Sequence, residues 1–408
     1  MAGIPETWLH SKVVFQELTG SVTTLLFKKH SVPLPGTKLI TELALIGFTT
    51  QDGKFLQLIQ SIERRSGKQI KLCILFGEDL DHITTRRMLQ RYTENSHHMM
   101  NTFSWPIPQW ISLRVVPGAR RCVKARDDLY RFLVDWDKKG GAQNSSNEMR
   151  AILGVFEQAG TPAEVRSTFT NMMMVAFLAN TPEVLGWFFM NLVQAPELFQ
   201  VVRAECDALG DDSIIETDFK KRTRYLYSAL FETCRCYVFT GTAAIITKEC
   251  TLPGMGDHVF KPGDSIRSLG SASAMDTEVY GSDAAYWKGH RFVGEGESLL
   301  KYDLTFGVGR APCPGRAFAI AELCMIAVNM IRNFDFSDWS ISKHLPYEAD
   351  DFEVLGPASP EYSEIIDLDG SIKKIIHPGN MSDYGPPGMT SSNIPLNDFA
   401  CRLSPRTA

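Results

Sequence analysis

A single cysteine lies in a glycine-rich loop that leads directly into an apolar helical segment. Residues 306–319 read Phe-Gly-Val-Gly-Arg-Ala-Pro-Cys-Pro-Gly-Arg-Ala-Phe-Ala, which places the cysteine at position 313. Gly309 and Gly315 have no side chains, so the backbone can approach a flat ligand closely. Pro314 favours a helix start, where backbone amides favour a thiolate over a thiol. This pattern is typical of a cysteine thiolate that ligates haem iron, and that ligand favours O–O cleavage.

The spacing of the loop resembles the haem loop of the cytochrome P450 family. The matching positions are Phe306, Gly309, Cys313, Gly315, Arg316 and Ala319. The resemblance implies that Cys313 ligates the iron of haem b, and that Phe306, Gly309, Arg310 and Gly315 contact the cofactor. For an isolated motif the alternative is a buried free cysteine at a loop–helix junction, and the length of the matching context argues against it.

A long apolar segment upstream contains a polar notch. The pattern over residues 172–193 predicts one buried helix that continues toward Cys206. Pro182 cannot donate a hydrogen bond to the carbonyl of Leu178, so we expect the helix to open locally there. The polar residues in the middle of the segment argue against a membrane span.

The notch resembles the oxygen-binding groove of the cytochrome P450 family. The resemblance implies that Ala179 contacts the cofactor and that Thr181 and Asn180 position oxygen and its protons. Asn180 stands where the family usually has an acid, and with Pro182 it resembles the branch of sterol 7-hydroxylases and prostacyclin synthase. A plain proline kink is the alternative.

Glu232 and Arg235 lie one turn apart on a helix predicted over residues 225–239. Such pairs are common on solvated helices. Their order before Cys313 resembles the family's buried Glu-x-x-Arg pair, in which a second arginine from a later loop joins the carboxylate. The resemblance assigns that part to Arg291, and the cluster a structural role in the haem-binding core.

The remaining elements predict a mainly α fold with a small β region. Residues 243–252 and 259–266 read as short strands around a Lys-Pro-Gly turn, whereas 122–136 and 317–334 read as helices. The resemblance implies a cytochrome P450-like fold with an abbreviated N-terminal part. We therefore expect an unassigned segment over 1–70 and a catalytic core over 71–408, with its β region at 240–270 and in the C-terminal tail.

Several positions depart from the family pattern. No Trp-x-x-x-Arg pair is found to hold a haem propionate, and Ile245 and Ala311 stand where relatives often have a propionate-binding side chain. Arg310 could replace one of these contacts. Two unpaired propionates at a buried edge would be costly unless solvent reaches them.

Composition limits the function classes. The 408 residues carry a net charge of −5, which gives no support to nucleic-acid binding. Nine scattered cysteines indicate a reducing compartment. No signal peptide or transmembrane anchor is evident at the start of the sequence. We expect a cytoplasmic location, or a peripheral association with the endoplasmic reticulum.

The leading hypothesis is a haem-thiolate monooxygenase of secondary metabolism. Its partners would be dioxygen, a small apolar terpenoid, sterol or polyketide-like substrate, and an NADPH-dependent reductase. One alternative keeps haem but is an isomerase or dehydratase without net oxygenation. Another is a family-derived protein with a degenerate haem site that binds an apolar ligand or promotes a non-redox cyclisation.

Overall fold

A computed structural model gives the structure of the chain over most of its C-terminal two thirds. It describes residues 88, 111, 114, 119–158, 160–178, 180–209, 219–238, 242–268, 270–307, 313, 315–342, 361–378 and 398–406. Residues 1–70 and three residues predicted to contact the cofactor, Ala179, Gly309 and Arg310, lie outside the described residues.

The described part is mostly helical. Its α-helices are α1 (Ala119–Lys138), α2 (Asn147–Gln158), α3 (Ala163–Leu178), α4 (Thr181–Val193), α5 (Pro196–Asp207), α6 (Phe219–Arg222), α7 (Arg224–Tyr237), α8 (Gly270–Ala274), α9 (Thr277–Tyr280) and α10 (Arg316–Asn333). Short 3₁₀ helices cover Gly141–Asn144 and Gly294–Tyr302. The predominance of helices, with small antiparallel sheets beside them, confirms the predicted mainly α fold with a small β region.

The apolar segment that was predicted to form one long helix is divided into three. Helix α3 ends at Leu178, α4 starts at Thr181, and α5 starts at Pro196. The interruption lies where Pro182 was predicted to open the helix, but the prediction that one helix continues through it toward Cys206 was wrong. Pro182 stands in the first turn of α4, where a missing amide breaks no helical hydrogen bond, and Pro196 opens α5 in the same way.

The strands form four two-stranded antiparallel sheets. The strands are β1 (Thr242–Ile245), β2 (Cys250–Thr251), β3 (Val259–Phe260), β4 (Ser265–Ser268), β5 (Phe334–Ser342), β6 (Glu361–Ile366), β7 (Ile372–His377) and β8 (Asp398–Pro405). The pairs are β1 with β4, β2 with β3, β5 with β8, and β6 with β7. Each of the two segments predicted as strands before residue 270 is thus split into two short strands. The turn between β3 and β4 contains Gly263 at φ 98°.

The core lies where α4, α5, α7 and α10 pack against one another. Trp187 and Phe188 of α4, Leu226 of α7 and Val328 of α10 are all almost completely buried. Helix α1 packs against α3 through its own apolar face. Burial of these faces, rather than helix propensity alone, stabilises the helices.

Buried polar side chains join the ends of these helices to distant segments. The carboxylate of Asp367, in the turn between β6 and β7, accepts hydrogen bonds from the backbone amides of Glu197 and Leu198 at the start of α5. Glu205 does the same for the amides of Tyr225 and Leu226 at the start of α7. These contacts satisfy helix-end donors and fix α5 and α7 in place.

No helix of the described part is both long and apolar enough to cross a membrane.

Candidate active site

A buried carboxylate organises the last turns of α7. Glu232 and Arg235 are almost fully buried, and Arg235 donates from Nε to Glu232 Oε2 and from Nη2 to Oε1, both at 2.7 Å. The i,i+3 spacing on one helix places the two side chains side by side. Two parallel bonds give the pair the bidentate geometry that favours arginine at buried carboxylates.

A second arginine reaches the same carboxylate from the loop after α9. Arg291 Nε donates to Glu232 Oε1 at 2.9 Å, and its Nη1 donates to Asp283 Oδ1 at 2.6 Å. Burial lowers the pKa of Arg291, but the charge of Glu232 and the hydrogen bond to Asp283 raise it overall. We call Glu232, Arg235, Arg291 and Asp283 the buried ion cluster, in which two carboxylates balance two guanidiniums.

Backbone groups complete the hydrogen bonding of the buried ion cluster. Arg235 Nη1 donates to the carbonyl of Ala284 at 2.8 Å, and the amide of Lys288 donates to Glu232 Oε1 at 2.9 Å. Trp287 Nε1 also donates to Thr233 Oγ1 of α7 at 3.0 Å. The cluster therefore attaches the loop at 283–292 firmly to α7.

The sequence prediction brought Glu232, Arg235 and Arg291 together but missed Asp283 and Lys288. Asp283 also accepts a hydrogen bond from Lys288 Nζ at 3.1 Å. Its position eight residues before Arg291 follows no helical or strand period, so periodicity could not reveal the contact. A second buried guanidinium needs a second anion to balance its charge, and this requirement could have indicated a carboxylate near Arg291.

Cys313 lies just before α10, with its backbone held by the preceding turn. Its amide donates to the carbonyl of Phe306 at 2.7 Å, and the amide of Arg316 donates to the Cys313 carbonyl at 3.3 Å. A side chain added at Gly315 would begin 3.8 Å from the Cys313 sulfur. We call residues 306–316 the cysteine loop.

Opposing effects act on the thiol of Cys313. Desolvation by the surrounding protein raises the pKa of the thiol, while the Gly315 amide and the charge of Arg316 lower it by smaller amounts. The residue itself is exposed, so the sulfur can be reached by a ligand. The amide and the guanidinium both favour a thiolate once an electropositive ligand is bound.

Asn180 and Thr181 stand at the start of α4. Asn180 is the N-cap, with its carbonyl accepting from the amide of Val184 at 3.1 Å, and Thr181 is buried. Helix α4 packs against α10, the helix that follows Cys313. The polar notch is thus the junction between α3 and α4, and its catalytic role stays a prediction.

The donor chemistry at Cys313 is a single cysteine sulfur, which fits the need of a haem for a protein ligand. Within the residues described, no group of three or more His, Cys, Asp or Glu side chains could hold a metal ion. A haem would need a sulfur donor from the protein, and the exposed residue Cys313 would provide it. The contacts of Phe306, Cys313 and Gly315 with a cofactor stay predictions.

Comparison with known proteins gives a family match. The family model for cytochrome P450 matches residues 69–361. A cytochrome P450 monooxygenase of Gibberella zeae is 30% identical over 220 residues, which cover 50% of this chain and 42% of that protein. A 7-alpha-hydroxycholest-4-en-3-one 12-alpha-hydroxylase of Homo sapiens is 25% identical over 229 residues, covering 51% and 46%.

A third relative carries an additional activity in its name. A bifunctional cytochrome P450/NADPH–P450 reductase of Acremonium egyptiacum is 29% identical over 197 residues, which cover 45% of this chain and 18% of that protein. The chain spans less than half the length of each of these three relatives.

Proposed function

The chain belongs to the cytochrome P450 family, and on this premise we propose that it is a haem-thiolate monooxygenase that oxidises an apolar substrate. Membership of the family implies haem iron as the cofactor. The observation that carries the proposal is the position of Cys313, an exposed cysteine just before a helix, whose backbone amide donates to the Phe306 carbonyl.

Each part of the described structure has a task in this proposal. Cys313 would hold the iron, and Phe306 and Gly315 would contact the haem. The thiolate-ligated haem supplies cleavage of the O–O bond. The buried ion cluster keeps the loop at 283–292 fixed against α7, so that the segment leading to the cysteine loop starts from a rigid support.

Thr181 and Asn180 are proposed to position dioxygen and its protons. A threonine hydroxyl can donate and accept a hydrogen bond, and an asparagine amide can do both with separate atoms. Neither residue can release a proton at neutral pH as a carboxylic acid does, so we expect protons to arrive from solvent along these groups.

The substrate is proposed to be a terpenoid, sterol or polyketide-like molecule. The relative named 7-alpha-hydroxycholest-4-en-3-one 12-alpha-hydroxylase supports an apolar ligand, and so do the apolar side chains of α4. Electrons are proposed to come from NADPH through a reductase partner, and the relative that combines both activities supports this pairing.

Product analysis under labelled dioxygen tests the proposal. The full chain, loaded with haem and supplied with NADPH and a reductase, is expected to place one labelled oxygen atom in a hydroxylated product. A product that forms without label would contradict the monooxygenase and favour an isomerase or dehydratase, which the asparagine at position 180 makes the relevant competitor. Thr181→Ala should raise NADPH consumption relative to product, whereas Thr168→Ala on α3 should leave the ratio unchanged.

A further inference from the structure

A carboxylate that the family resemblance did not assign stands at the start of the turn before the cysteine loop. Both the backbone amide and the hydroxyl of Thr305 donate to Asp303 Oδ1, at 3.0 and 2.5 Å. The Gly307 amide donates to the Leu304 carbonyl at 2.9 Å, and Gly307 adopts φ 71°, which favours glycine. The turn 303–307 is therefore closed at both ends.

This turn carries the carbonyl that holds Cys313. The Phe306 carbonyl, one residue after Thr305, accepts the Cys313 amide at 2.7 Å. A rotation of the peptide plane between Phe306 and Gly307 would break this hydrogen bond and shift the Cys313 sulfur. The contacts of Asp303 thus act on Cys313 through two short steps along the chain, Thr305 and Phe306.

Asp303 also shares a cation with Cys313. The guanidinium of Arg316 lies 5.6 Å from the centre of the Phe306 ring. The carbonyl of the same Phe306 accepts the Cys313 amide, and the charge of Arg316 favours the carboxylate form of Asp303. A negative charge on Asp303 therefore offsets part of the positive charge that Arg316 presents to the sulfur.

On its other side Asp303 faces the buried ion cluster. It lines a small cleft together with Arg235 and Tyr280. Burial raises the pKa of Asp303, while the hydrogen bonds from Thr305 and the charges of Arg316 and Arg235 lower it by smaller amounts. Asp303 therefore lies between the two parts of the candidate site, the cluster and the cysteine loop.

We propose that Asp303 is a positioning residue for the Cys313 ligand, which fixes the turn that holds the Cys313 amide and offsets the charge of Arg316 beside the sulfur. This inference rests on the proposed haem-thiolate function. With less cationic charge beside it, a thiolate donates more electron density to iron and keeps the ferric state favoured. Removing the carboxylate charge should reverse this effect.

The test compares substitutions that separate charge from hydrogen bonding. In the haem-loaded full chain, Asp303→Asn removes the charge, Asp303→Glu keeps it, and Thr305→Val removes the hydroxyl donor alone. We expect Asp303→Asn to shift the ferric/ferrous midpoint potential to more positive values. Asp303→Glu and Thr305→Val should keep the wild-type potential, and Thr305→Val should lose its thiolate-type CO band faster on warming. Asp338→Asn, an exposed acid on β5, is the control.

Each outcome decides between the two claims. A wild-type chain without a thiolate-type CO band overturns the proposed function and this inference with it. A normal wild-type band with an unchanged potential in Asp303→Asn contradicts only the role of Asp303. If Asp303→Asn does not fold, a Thr305→Val variant whose band is as durable as the wild type overturns the inference.

Discussion

The buried ion cluster and the α3–α4 junction accommodate polar groups inside an apolar core in different ways. In the cluster, guanidiniums and carboxylates pair at 2.6 to 2.9 Å and backbone amides supply the remaining donors. At the junction the chain ends one helix at Leu178 and starts another at Thr181. The buried ion cluster depends on pairing between side chains, whereas the junction depends on where the helical backbone ends.

The difference shows which features of a motif are set by local spacing. Two residues three positions apart on a helix lie on the same face, so their side chains are neighbours. A proline in an apolar segment, by contrast, can either bend one helix or separate two helices. The cluster should therefore be sensitive to single changes of charge, and the junction should be insensitive to loss of its proline.

The largest effect is expected from Glu232→Gln. This change leaves Arg235 and Arg291 buried without their shared anion, which should cost about 3–5 kcal/mol in the free energy of unfolding. Urea denaturation followed by circular dichroism measures the loss. Asp128→Asn breaks the exposed pair of Asp128 with Arg131 and should cost less than about 1 kcal/mol. Equal losses in the two variants would contradict the account of the cluster.

A stack of rings joins the helix of the junction to the helix of the cluster, and it should make stability depend on pH. The ring of Trp187 in α4 stacks on the ring of Tyr237 in α7, with 4.3 Å between ring centres, and on the ring of His377, with 5.0 Å between centres. Burial lowers the pKa of His377 to about 4. In the unfolded chain the pKa of a histidine is about 6.5, so the unfolded chain binds a proton before the folded protein does as pH falls.

Neutral His377 therefore contributes its full stabilisation above about pH 6.5. The free energy of unfolding falls by about 3 kcal/mol at most as pH falls toward 4. His377→Phe keeps a ring in the stack and should flatten this part of the stability–pH curve. Denaturation midpoints between pH 7 and 4 measure it. A variant whose curve has the wild-type slope would show that His377 does not carry the effect.

Asp283→Asn should have a smaller effect of about 1–2 kcal/mol at neutral pH, because the carboxylate is partly exposed and Glu232 still pairs with Arg291. Although burial opposes it, hydrogen bonds from Arg291 and Lys288 lower the pKa of Asp283 overall. The stability that the Asp283 carboxylate contributes is present above about pH 4. It disappears as pH falls through the lowered pKa of Asp283 in the folded protein. The variant should therefore lose less stability than the wild type below pH 4, and a parallel loss would contradict the pairing.

The smallest effect is expected from Pro182→Ala. In the first turn of α4 the proline breaks no hydrogen bond, and its removal should cost only about 0.4–1 kcal/mol through the unfolded chain. A proline inside one continuous helix would instead cost about 3 kcal/mol, so its removal would stabilise the protein. The sign of the change in the free energy of unfolding distinguishes the two arrangements.

The sequence was sufficient for the family, the fold class and the two arginines that meet at Glu232. The resemblance to the family assigned Arg291 to the pair of Glu232 and Arg235, because an i,i+3 pair by itself is common on solvated helices. The break between α3 and α4, the contact of Asp283 with Arg291 and the capping of α5 by Asp367 were missed. Each depends on tertiary packing between segments that no period in the sequence connects.

The absorption spectrum of the reduced, CO-bound chain tests the central claim most directly. Cys313 is expected to ligate haem iron, so the wild type should contain stoichiometric iron and show a thiolate-type Soret band. Cys313→Ala should lose the band while keeping its helical circular dichroism, and Cys250→Ala, which changes a cysteine of β2, should keep both. A thiolate-type band that survives in Cys313→Ala, or a wild type without iron, would contradict the account.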